Sequence, residues 1–250
     1  MCCFSQRVVA VSGTNIFARS SGGLKQLLVY SMTLNSKEEL AMILPIPVAP
    51  GKGENVVRFI DLKGYPNFFT DLATAFLPPA TRTQGMKSAS AVPLGMERLA
   101  VVQVGDFVAS YVPSPKDFIR LDPRFRLPAD TWNQLPQYSR FGFAVFQLKP
   151  GVHKFHPMAF EFPRAEAGKL FFPTVHIHDG KVHETATFDH ALYCQKIPGE
   201  QFRLTEWKES PALAQSFMNV GRSRGIIAAD QHCYKLEIKG RRRNADTYLI

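Results

Sequence analysis

The apolar positions of this chain recur with the period of strands far more often than with that of helices. Runs at 8–11, 15–19, 26–32, 41–45, 56–60, 99–104, 107–112, 141–148, 158–162, 175–178, 182–187 and 233–238 are rich in β-branched and aromatic residues and bounded by Gly, Pro, Asn or Ser. Half-buried pleated surfaces favour that composition. Two segments break the rhythm. Over 67–76, Phe68, Phe69, Leu72 and Phe76 share one helical face, and over 211–220 Ser210 stands as N-cap before Pro211 at the first helical position. The pattern therefore predicts a mainly β (α+β) fold: one antiparallel, strand-rich, sandwich-like domain over residues 1–250 with two packing helices.

Residues 77–94 are rich in Pro, Thr, Ser and Gly and read as a long loop, whereas 113–136 carries five prolines among charges and aromatics and reads as ordered connection. No internal repeat or shift of composition divides the chain. With 250 residues, 45% apolar and 20 Phe, it has enough apolar volume for one large core.

Charge adds a direction to the partners. The formal balance is +9 and the pI about 9.5, which favours encounter with acidic molecules. Arg222, Arg224, Arg241, Arg242 and Arg243 concentrate near the C-terminal end, a candidate surface for an acidic ligand or nucleic acid. No recognition helix or aromatic RNA-binding signature accompanies them. No apolar run approaches the ~20 residues of a membrane-spanning helix, and the first residues lack a basic region followed by an apolar one, so the expectation is a cytoplasmic protein without a membrane partner. Cys2, Cys3, Cys194 and Cys233 follow no paired spacing and are expected as reduced thiols.

The most chemically informative stretch is His176-Ile177-His178-Asp179-Gly180-Lys181-Val182-His183. Asp-Gly between β-like runs is a strong signal for a two-residue type I′ hairpin, since both loop positions need positive φ. That register sets His176 opposite His183 and places His176, His178 and His183 on one face, with Val175, Ile177 and Val182 turned to the core. Cross-strand partners lie ~5 Å apart at Cβ, so three imidazoles could converge on Zn²⁺, Fe²⁺ or Cu²⁺ with bonds of ~2 Å. His190 is a further candidate ligand, and His153, His156, Glu184 and Asp189 lie nearby in sequence. The leading expectation is a metal-binding protein, with metalloenzyme chemistry at an exchangeable coordination position. Solvated histidines on a polar hairpin face are the plain alternative.

A second chemistry attaches to the start of the chain. Were Met1 removed, Cys2 would carry its own α-amine as a general base. Cys2, with Arg19 in Asn15-Ile16-Phe17-Ala18-Arg19, resembles the opening of the choloylglycine hydrolase family. The resemblance implies a cysteine amidohydrolase in which Cys2 is the nucleophile and Arg19 orients it or steers substrate; Ser20 and Ser21 stand where that family has Asn and a nearby Asp. Over most of its length the chain also resembles an uncharacterised bacterial family called domain of unknown function 2330. Cys2-Cys3-Phe4, the run 27–32, Leu44-Pro45-Ile46-Pro47, Leu148-Lys149-Pro150-Gly151 and His156-Pro157-Met158-Ala159-Phe160 carry that resemblance. It implies a strand-rich fold and no assigned reaction. A noncatalytic binding domain with a basic surface is the third functional class.

Overall fold

The computed structural model describes residues 3–49, 53–77 and 101–250; the expected loop over 77–94, apart from Leu77, lies outside them. In chain order the strands are β1 (Cys3–Phe4), β2 (Ala10–Ser20), β3 (Lys25–Ser36), β4 (Leu40–Ile46), β5 (Arg58–Asp61), β6 (Val101–Val104), β7 (Phe107–Val112), β8 (Gly142–Leu148), β9 (Gly151–Lys154), β10 (Met158–Pro163), β11 (Leu170–Phe172), β12 (Thr185–Gln195), β13 (Lys208–Glu209), β14 (Tyr234–Arg243) and β15 (Thr247–Leu249). Two short helices, α1 (Phe68–Thr74) and α2 (Ala129–Asn133), complete them.

The strands form two large sheets. One runs β1-β4-β8-β7-β6, antiparallel throughout; the other runs β13-β14-β12-β2-β3-β10-β5, with β9 also on β3. Among the described residues of the larger sheet, only β12 and β2 pair in parallel. β11 and β15 form a separate ribbon. The mainly β expectation holds, as a sandwich whose two outer faces are themselves covered.

This covering explains why the central strands read as nearly unbroken apolar runs. In β4, Leu40, Met42, Leu44 and Ile46 face the core between the sheets, while Ala41 and Ile43 pack beneath 113–138. In β8, Ala144, Phe146 and Leu148 take the first side and Phe143 and Val145 the second, where Phe143, Phe118 and Trp132 meet at ring distances of 4.6–5.0 Å. In β3, Leu28 and Tyr30 face inward while Leu27 and Val29 pack with α1 and the 214–233 segment. A strand buried on both faces loses the polar half of its alternation.

Two expected elements do not form. The 211–220 helix is replaced by a short 3₁₀ turn, Ala214–Ser216, and irregular backbone. Ala214 and Gln215 donate from their backbone N–H groups to the carbonyls of Gln231 and Ala229, and only one turn of local bonds follows, from Ser216 to Leu213 and from Phe217 and Met218 to Ala214, so the start of the segment is tied to the 229–231 turn and no helix continues. The 176–183 hairpin is absent as well. Ile177 instead bridges Cys3 and is fully buried with Val175, and 185–187 pairs with Arg241–Arg243 of β14. Long-range burial has overridden the local turn signal. Asp179-Gly180 still makes a turn, with Gly180 at φ 76° and the Lys181 N–H donating to Asp179 Oδ1.

Candidate functional site: a histidine-lined cleft

β12 continues to Gln195, well beyond the run expected at 182–187, and this extension carries His190 into the interior. There it is paired with Thr14 of β2 on one side and Ile238 of β14 on the other. His176 comes to it from the segment after β11. Asn244, just past β14, holds that segment in place: its side chain accepts from the His176 N–H at 2.7 Å and donates to the carbonyls of His176 and His183 at 2.9 Å. Asp246 accepts from the N–H groups of Thr174 and Val175 and from the Tyr138 hydroxyl. Two polar side chains thus do the work expected of a hairpin ladder.

The rings of His176 and His190 lie 5.1 Å apart, and those of His176 and His178 stack at 5.2 Å with 20° between their planes. Phe188 packs on both His176 and His190, and Phe4 on His178. His176 is 7% exposed and His190 1%. His176 Nε2, both nitrogens of His190 and the hydroxyl of neighbouring Thr14 are buried with no hydrogen-bond partner. Buried polar groups are ordinarily paired, so four such atoms in one place make this the candidate site. Burial disfavours the charged imidazolium and holds His178 down at about 4, His176 at about 2 and His190 lower still. All three rings are neutral near pH 7.

The cluster borders a cleft of about 610 Å³ lined on one side by Val8 and Val11 and on the other by His176, His178, Thr185, Thr187 and Phe188. The expected set of His176, His178 and His183 needs correction here. His183 sits on the exposed rim, 3.0 Å from Asp179, whose carboxyl this contact holds below its usual range. His190, the further candidate, replaces it in the interior. Asp189 is engaged with the Gly13 N–H at 2.8 Å. His153 and His156 lie elsewhere, against Pro150 and against Asp106 and Phe107. As the side chains stand, no group of three or more His, Cys, Asp or Glu among the described residues could hold a metal ion. The stack of His176 on His178 turns ring faces, not nitrogens, toward each other.

Cys2 lies outside the described residues. Arg19 donates through Nε and a terminal nitrogen to the carbonyls of Ile226 and Gly225, both at 2.8 Å, so its guanidinium ties β2 to the 221–227 turn. Cys3, Cys194 and Cys233 are buried, and burial raises the thiols of Cys194 and Cys233 above the usual range. The basic residues divide into two places. Arg222 and Arg224 belong to the turn held by Arg19, which pairs with Gln195, whereas Arg241 pairs with Thr187; the eight residue steps from Thr187 to Gln195 along β12 span roughly 26 Å. No helix among the described residues is long and apolar enough to cross a membrane.

The sequence singles out His176, His178 and His190 as candidates, and gives no signal for Asn244, Asp246, Thr14 and Phe188, which the fold brings to them. Asn244-Ala245-Asp246 after a basic run reads as a plain turn, and nothing local signals its contacts some 70 residues away.

A scan against protein-family models finds no match, and a search of the curated proteins finds none. Among solved structures, baculovirus P35 superposes with a TM-score of 0.52 at 11% identity, covering 99% of both chains. P35 in the caspase-8/P35 complex gives 0.49 at 10% identity over 95% of both chains. At these identities the likeness is one of fold: the chain has an architecture similar to that of baculovirus P35 along nearly its whole length.

Proposed function

We propose that the chain is a metal-binding protein that takes a divalent transition ion, Zn²⁺, Fe²⁺ or Cu²⁺, among His176, His178 and His190. The observation that carries the reading is the set of ring nitrogens on His176 and His190 buried without partners. Each such atom costs about 1–3 kcal/mol, which coordination at ~2 Å would offset. Turning the His178 ring out of its stack on His176 is the rearrangement that binding requires. The adjoining cleft would give the ion an exchangeable position for water or substrate. Elemental analysis of gently purified protein and a Co²⁺ titration followed by visible absorbance test this. Near-stoichiometric binding lost in His190→Ala and kept in His183→Ala is expected; wild type that binds no ion overturns the reading.

A second reading is favoured by the likeness in fold to P35 over 99% of both chains. P35 is bound to caspase-8 in one of its solved structures. We propose on that basis that this chain binds a protein partner, with a cysteine peptidase of that kind as the first to test. Titration into active caspase-8 with a fluorogenic substrate should then lower the rate near stoichiometry. An unchanged rate at large excess, with no co-elution on gel filtration, removes this reading.

A further inference from the structure

We propose that the outer edge of β14 is a docking surface for an extended acidic polypeptide segment, which adds to the eight-stranded sheet as one more strand. The inference stands apart from the histidine cleft and from any peptidase partner. β14 is ten residues long, yet beyond it only β13 pairs, at Lys235 and Tyr234. From Leu236 to Arg243 no further strand lies alongside among the described residues.

The direction of its main-chain groups follows from two contacts. The Asn244 N–H donates to the Glu184 carbonyl, on the β12 side, and the Cys233 carbonyl accepts from the Ser210 N–H, on the β13 side away from β12. In an antiparallel pair the N–H and C=O of one residue point to the same side and alternate residue by residue. Glu237, Lys239, Arg241 and Arg243 therefore turn their peptide groups outward, a template for β-strand addition.

Charge decides which strand fits. Lys235 and Lys239 both reach Glu237 at 2.6 Å and use up its carboxylate. Arg241, Arg242 and Arg243 are exposed and form no ion pair among the described residues; opposite them on β12 stand Thr187, Ala186 and Thr185. A second copy of this edge would set cation against cation, a common protection of open edges, whereas alternating carboxylates would meet the guanidiniums in register. Nucleic acid is the less suited occupant. The basic stripe is one strand wide, the other arginines are remote, and a phosphate backbone would leave the outward peptide N–H and C=O pattern unread.

Fluorescence polarisation tests this with three labelled probes: an alternating Glu-Val peptide of about twelve residues, the same peptide N-methylated at alternate positions, and single-stranded DNA of equal charge. The plain peptide should bind, weakening at least about 10-fold when N-methylated and at least about 10-fold on Arg241→Glu/Arg243→Glu. Lys116→Glu, which alters charge elsewhere, should leave binding within about 2-fold. Equal binding of the N-methylated peptide or the DNA would reduce the surface to general polyanion attraction and overturn the proposal. So would equal weakening by Lys116→Glu or no binding by wild type. Both sites are exposed, and thermal melts of the variants check that they fold.

Discussion

Acid should destabilise this protein through its buried histidines, and His190 offers the cleanest measurement. Burial lowers its folded pKa well below the ordinary 6.5, so the folded ring stays neutral while the unfolded ring protonates. Below about 6.5 the unfolded state binds more protons; the stability is fully present above that pH and is lost as pH falls toward the folded value. At 1.36 kcal/mol per unit, falling from about pH 6.5 to about pH 5 costs about 2 kcal/mol for this one group. His176 and His178 act in the same direction, and Asp246, whose carboxyl burial raises, acts in the opposite one. Comparison with His190→Leu removes those shared contributions. Urea unfolding in a chelating buffer, followed by the fluorescence of Trp132 and Trp207, should show wild type losing about 2 kcal/mol more than the variant between about pH 7 and about pH 5. Against total stabilities of about 5–15 kcal/mol that difference is readily measured. Parallel pH curves for the two proteins would refute the claim that His190 is buried, neutral and unpaired.

Other substitutions test the rest of the framework. Asp246→Asn removes a carboxylate that accepts from Thr174, Val175 and Tyr138; it should cost roughly 1–3 kcal/mol and speed amide exchange at Val175. Trp132→Ala empties the ring cluster with Phe118 and Phe143 and should cost about 3–5 kcal/mol, read from denaturant midpoints. At Gly105, φ is +60° and an added Cβ would meet the His156 ring at 2.5 Å, so Gly105→Ala should lower the melting temperature and disturb the His156 NMR signals. Arg19→Met should loosen the 221–227 turn, detected as faster exchange at Ile226, while leaving ion binding at the cleft unchanged.

The cleft was only partly legible because its parts come from distant segments. The density of histidine after residue 175 was visible, and so was the burial of Val175 and Ile177, which the core around Trp132 takes up. The partner set was not. It depended on a hairpin that Asp179-Gly180 encodes locally, and that local preference lost to the burial of Ile177 against Cys3 and to the pairing of 185–187 with β14. The same contest removed the 211–220 helix: its capping residues are present, but Ser210 Oγ donates to Ala212 and accepts from the Cys233 N–H, which ties the segment to the start of β14.

Taken alone, the sequence determined the strand-rich class, because β-branched and aromatic runs between turn residues have few other stable uses. It also determined that Leu44-Pro45 lies within a strand, and that 107–112 does, where the expected and observed bounds coincide. Tertiary structure decided what those strands sit beside. β12 joins β2 in parallel and so carries His190 next to Thr14, while Asn244 reaches back to His176. Such pairings depend on which apolar faces find each other across the chain, and no local preference records that.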